Sequence, residues 1–144
     1  MKRTTTYLSL AGALLFSAAA FGLSSAIDTP RTLMSRADYS VAKQAIESES
    51  RVSAGRCRDV EGGARDVCKA EVRAEERIKK ADLDARYHGT VNAAADARLA
   101  RAKAEYDVAK AKCSVHGTEL KSECLQSART AKARALADAK LASL

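Results

Sequence analysis

CRDVEGGARDVC (57–68) holds two cysteines ten residues apart with Gly62-Gly63 between them, and CSVHGTELKSEC (113–124) repeats the spacing around Gly117. If Cys57 and Cys68 shared one unbroken helix, eleven steps of rise would hold them roughly 16 Å apart, far beyond bonding range. A chain reversal at the glycines removes that obstacle. Helices packed at about 8–10 Å, less two backbone radii of about 2.3 Å, bring opposed Cα atoms into the window of about 4.4–6.8 Å that a disulfide needs. Four cysteines allow three pairings, and the spacing favours the local one, Cys57 with Cys68 and Cys113 with Cys124. The expected fold is all-α: antiparallel helical hairpins in an up-and-down bundle, stapled by two local disulfides. Each closed loop of about a dozen residues is worth about 3 kcal/mol in the chain-entropy picture.

Composition agrees with helix throughout. After Pro30, the one proline, the chain is rich in Ala, Lys, Arg, Glu and Asp, and no strand is expected. A first helix is placed from about Arg31 to Cys57, with Met34, Val41, Ala45, Ser48 and Val52 on its packing face. A second, from about Ala64 to Tyr87, carries Val67, Ala74, Ile78, Ala81 and Ala85, and a third carries Ala95, Leu99, Ala102, Tyr106 and Ala109. His88-Gly89-Thr90 separates these two; without a break there, the middle of the chain would be one long helix with a shorter one folded back at either end. Gly117-Thr118 opens a fourth helix ending near Leu141, with Thr118 as candidate N-cap and Glu119 in the first turn. Aromatic residues are 4% of the chain and Trp is absent, so the core is thin and alanine-rich, the kind that needs covalent staples.

The two copies differ by an insertion. Both cysteines recur at a shift of 56 residues, whereas ADYSVAK (37–43) matches AEYDVAK (104–110) at a shift of 67. The difference of 11 residues is close to three whole α-helical turns, so the first helix can absorb it with its tyrosine and cysteine still on one side.

At the N-terminus, Lys2 and Arg3 precede the apolar stretch LSLAGALLFSAAAFGL (8–23) and the small residues Ser24-Ser25-Ala26, the layout of a secretory signal peptide cleaved after about Ala26. No cysteine follows for lipid attachment. Cleavage removes two of the 25 basic and none of the 18 acidic side chains, leaving a net charge of +5 over 118 residues. One domain, 27–144, is expected, containing hairpin repeats at about 31–88 and 91–143. Export supplies the oxidising compartment that disulfides require.

Catalytic and cofactor signatures do not emerge. There is no phosphate-binding glycine loop, no His-Glu-x-x-His and no serine elbow, so the chain reads as a non-enzyme without a cofactor. Cys113-x2-His116 has a metal-like spacing, but the first copy has Asp59 and Val60 in the corresponding region, so no metal is expected. A redox pair would be closer, as in Cys-x-x-Cys. His88 and His116 read as surface turn residues, Glu75-Glu76 and Asp82-Asp84 as a solvated helix face, and Tyr39 and Tyr106 as packing positions. Candidate anion contacts are Arg98, Arg101, Lys103, Lys110, Lys112, Lys121, Arg129, Lys132, Arg134 and Lys140, which have few acidic neighbours. They would meet lipopolysaccharide, phospholipid head groups or nucleic acid through salt-sensitive attraction.

Tyr-x-Val-Ala-Lys followed by Cys, ten residues with a central Gly, and then Asp-Val-Cys-Lys-Ala-Glu (66–71) resembles small exported proteins of β-proteobacteria described as TolA-like. The second copy keeps AEYDVAKAKC (104–113) and replaces Asp-Val-Cys-Lys with Ser-Glu-Cys-Leu. The likeness spans about residues 34–140 and implies a periplasmic location and stapled helical repeats. The function expected is structural, stress-related or partner-binding within the cell envelope, through an envelope protein, an anionic polymer or a second copy packed on Ala-rich helix faces. Binding of anionic envelope polymers is the alternative, and metal sequestration a third reading.

Overall fold

The structure, a computed structural model, describes residues 33–142. The signal peptide and Arg31, near which the first helix is expected to start, lie outside the described residues. Four antiparallel helices follow one another: α1 (Arg36–Arg56), α2 (Gly62–His88), α3 (Val91–Ser114) and α4 (Thr118–Leu141), with a 3-10 turn at Cys57–Asp59 between the first two. No strand occurs among the described residues.

The ends of the helices show why the chain turns where it does. Ser35 caps α1, its hydroxyl accepting from the Asp38 N–H at 3.1 Å, so the helix begins at Arg36 rather than near Arg31. Gly89 ends α2 in the left-handed region, with φ of 62°, and its N–H donates to the Ala85 carbonyl. A side chain there would also strike Leu33, at 2.8 Å from an added Cβ. Thr90 then caps α3, accepting from the Ala93 N–H at 3.1 Å. A left-handed glycine followed directly by an N-cap excludes one continuous middle helix. At the other turn the expected Thr118 cap is not the cap: Gly117 holds that position without a side-chain bond, and Thr118 is the first helical residue. Gly62 and Gly63 likewise open α2 instead of lying between helices.

Packing passes only between successive helices, α1 on α2, α2 on α3 and α3 on α4; no other pair of helices meets among the described residues. The up-and-down order is therefore laid out as an open array. Ion pairs and ring contacts give its register: Tyr39 lies beside Tyr87 and Ser50 beside Glu76 across α1 and α2, while Arg77 meets Asp107 and Asp82 meets Arg101 across α2 and α3. An inner helix must cover two opposite stripes. On α2, Cys68, Val72, Leu83 and Tyr87 fall on the side of α1, and Ala70, Ala74, Ala81 and Ala85 fall on the side of α3. The expected stripes of α2 and α3 are all buried or half-buried.

The buried core is mostly alanine, with Leu83, Cys57 and Cys113 its largest fully buried side chains. Alanine lets backbones approach closely but removes little apolar area from water, at about 25 cal/mol per Å². The expected face of α1 is wrong. Val41 and Val52 are 66% and 57% exposed, and Ala45 and Ser48 are exposed with them. The face turned to α2 is instead Tyr39, Ala42, Ile46, Ser50, Ser53 and Cys57. Both sets repeat at three- and four-residue steps, and the helix turns toward α2 the one in phase with its cysteine.

Candidate functional site

Both disulfides form within their hairpins. Cys57 pairs with Cys68 at a Cα separation of 5.7 Å, and Cys113 with Cys124 at 5.6 Å. Both lie at the same end of the array, since the chain reverses there twice. At that end the two turns touch: a Cβ on Gly63 would lie 2.6 Å from Val115, so only glycine allows the approach. Val67, Cys68, Lys112, Val115 and His116 line an open depression between these turns. No cysteine is free, all four being joined in the two disulfides. Among the described residues no group of three or more His, Cys, Asp or Glu side chains is placed to hold a metal ion. No helix among them is long and apolar enough to cross a membrane.

The two tyrosines of the repeat pack against the next helix, as expected. Tyr39 donates its hydroxyl to Asp84 at 2.6 Å and stacks at a tilt on Tyr87, with ring centroids 4.5 Å apart. Tyr106 lies under the Lys132 ammonium at 4.4 Å, with Lys110 at 5.5 Å. Tyr39 stands 18 residues before its cysteine and Tyr87 stands 19 after the partner cysteine; for Tyr106 and Lys132 the offsets are 7 and 8. Each copy thus keeps one antiparallel register, and the eleven-residue insertion moves the first tyrosine three turns farther from its staple.

The acidic pairs read as a solvated face are bound into contacts. Glu75 and Glu76 take Lys79 and Lys80 within α2, at 2.9 and 2.7 Å, and the same lysines reach Glu49 and Glu47 on α1, at 2.7 and 3.0 Å. Ser50 adds a hydroxyl bond to Glu76 at 2.7 Å. Asp82 holds Arg101 and Asp84 holds Tyr39. Hydrogen bonds from Lys80 and then Ser50 pull the Glu76 carboxyl below its usual range. The bond to Asp84, reinforced by burial, raises the Tyr39 hydroxyl above its ordinary value. Bonds to Glu49 and Glu75 raise Lys79, and bonds to Glu76 and Glu47 raise Lys80.

These shifts give the α1–α2 seam a pH dependence with a definite sign. A carboxyl depressed in the folded state stabilises it above the ordinary carboxylate range, and that contribution is lost as pH falls through the folded value. Melting temperatures followed from neutral pH into the acid range are expected to fall less for Glu76→Gln than for the unaltered chain. Parallel curves would show that Glu76 carries none of the dependence.

The ten basic candidates do not form one surface. Arg101 is tied to Asp82, Lys112 to Glu71 at 2.8 Å, Lys110 to Asp107 at 3.9 Å, and Lys132 to Tyr106. Lys140 is also engaged. Arg98, Lys103, Lys121, Arg129 and Arg134 are exposed, without an ion pair among the described residues. Arg98 and Lys103 lie five residues apart on α3, which sends them to different sides of the helix. Of the histidines, His88 ends α2 with Tyr87 edge-on at 5.2 Å, and His116 is exposed in the last turn.

No family model, curated protein or solved structure matches the chain.

Proposed function

We propose that the chain is an exported, non-enzymatic helical protein of the cell envelope, one of the small TolA-like periplasmic proteins, which works by offering helix faces to a partner. The observation that carries this reading is the pair of hairpin staples on an open array whose first helix leaves an apolar stripe uncovered. Disulfides suit an oxidising compartment. Reading the N-terminus as a cleaved signal peptide supplies the route there. An array without a deep core is suited to presenting surface, because its inner helices are satisfied by their neighbours and its edges are not.

Crosslinking in intact cells, followed by mass spectrometry, tests this. The chain is expected in the periplasmic fraction without its first 26 or so residues, with no alkylatable thiols, and with crosslinks from helix faces to envelope proteins. Recovery from the cytoplasm with four reactive thiols would overturn it. The anionic-polymer reading rests on Lys121, Arg129 and Arg134 of α4, which carry no ion pair among the described residues, in a helix without an acid between Cys124 and Ala137. It requires binding to lipopolysaccharide or heparin that weakens steeply with added salt.

A further inference from the structure

The outer stripe of α1 has a pattern that its role in the monomer does not use. Val41, Ala45, Ser48 and Val52 lie along the side away from α2, all exposed, with valines near both ends and small residues at the centre. Asp38 and Arg56 flank this stripe. They are 18 residues apart, five full turns, so both project from the same edge of it. Both are exposed, and Arg56 has no ion pair among the described residues. Among the described residues the Asp38 carboxylate accepts only from the Ser35 hydroxyl beside it.

We propose that this face of α1 docks on the same face of a second copy of this chain, antiparallel, about a two-fold axis passing near position 47. This rests on the reading that the protein works through its helix faces, and it names the partner. A two-fold axis pairs a surface with itself, so residue i meets j and j meets i. Centred at 47, it sets Asp38 of one copy opposite Arg56 of the other, twice. The same operation brings Val41 within about one residue rise, about 1.5 Å along the axis, of the other copy's Val52. The valines then enclose a centre where Ala45 and Ser48 leave room for close approach. A parallel two-fold docking would send this edge of the two copies to opposite sides of the seam, where neither Asp38 nor Arg56 meets a partner of opposite charge. The charge order along the edge therefore selects the antiparallel arrangement and a twin as occupant.

Sedimentation equilibrium of the full oxidised exported chain is expected to show a monomer–dimer equilibrium. Val52→Asp, which places a charge in the seam, raises the dissociation constant by about tenfold or more. Asp38→Lys and Arg56→Glu each oppose like charges and weaken self-association alone, but an equimolar mixture of the two restores it as a heterodimer. All three sites are exposed, so an unchanged helical circular dichroism signal checks the fold. A chain that stays monomeric into the millimolar range overturns the proposal, as does a dimer indifferent to Val52→Asp and to the charge reversals. A monomer that still crosslinks in cells to another envelope protein sinks this inference and leaves the functional reading standing. A dimer through α1 with no crosslink to any other protein does the reverse.

Discussion

Replacing Cys57 and Cys68 together by alanine is expected to destabilise the oxidised protein by about 3 kcal/mol, a large share of the roughly 5–15 kcal/mol that holds a small domain together. For a chain of this size that corresponds to a fall in melting temperature on the order of 10–20 °C. The loss falls on α1 because α2 is the one helix packed on it among the described residues. Along their seam lie Tyr39, Ala42, Ile46, Ser50 and Ser53, with the ion pairs Glu49–Lys79 and Glu47–Lys80. Exposed pairs of that kind contribute about 0–1 kcal/mol each. The α2–α3 seam has no staple to lose and is lined by Ala70, Ala74, Ala97 and Ala104. Hydrogen exchange on the double variant is therefore expected to show α1 losing protection well before α2 and α3. Uniform loss across all four helices, or a melting temperature within a degree or two of the unaltered chain, would refute this account of what secures α1.

Leu83→Ala is expected to cost about 2–5 kcal/mol, as large as the loss of a staple. Leu83 is 1% exposed, and the register of Tyr39 with Tyr87 and Ser50 with Glu76 places it level with position 43, beside the inward-facing Ala42. Ala42 is the nearest inward-facing residue across the seam, and the larger Tyr39 and Ile46 stand about one turn to either side of it, so the vacated space is filled only if they leave their own places. The staple at one end and the Tyr39–Asp84 bond near the other limit how far α1 can settle inward. As a comparison, Leu120→Ala on α4 removes a leucine that is 63% exposed and is expected to stay within about 0.5 kcal/mol. Chemical denaturation of both variants separates the cases. Equal, small losses would mean that the alanine contacts, and not Leu83, fill the α1–α2 seam.

Much of the candidate site could be read from spacing, but the face of α1 could not be read from apolarity alone. Val41 and Val52 outrank Ser50 and Ser53 in hydrophobicity, so a count of apolar residues selects the wrong stripe. The cysteine held the missing signal. Counting back from Cys57 in steps of three and four gives Ser53, Ser50, Ile46, Ala42 and Tyr39, the residues found against α2. The ties of Asp84 to Tyr39 and of Lys79 and Lys80 to α1 were illegible for another reason. They depend on which residues two helices bring level, and charged side chains spread along every helix allow many such matches.

Local chemistry was enough to determine the helical composition and the reversals at the cysteines, because a ten-residue gap between cysteines closes only if the chain turns back; the break at Gly89 was decided by its left-handed φ and the Thr90 cap. Those are short-range consequences of backbone sterics and covalent reach. Tertiary structure alone decided that, among the described residues, the four helices stand in an open array, each touching only its neighbours in sequence, with one apolar stripe of α1 left outside. That outcome depends on how closely alanine-lined faces approach and on which charges then meet across them. Such balances are set by pairs of residues distant in sequence, and no single stretch of this chain contains both members of the pair.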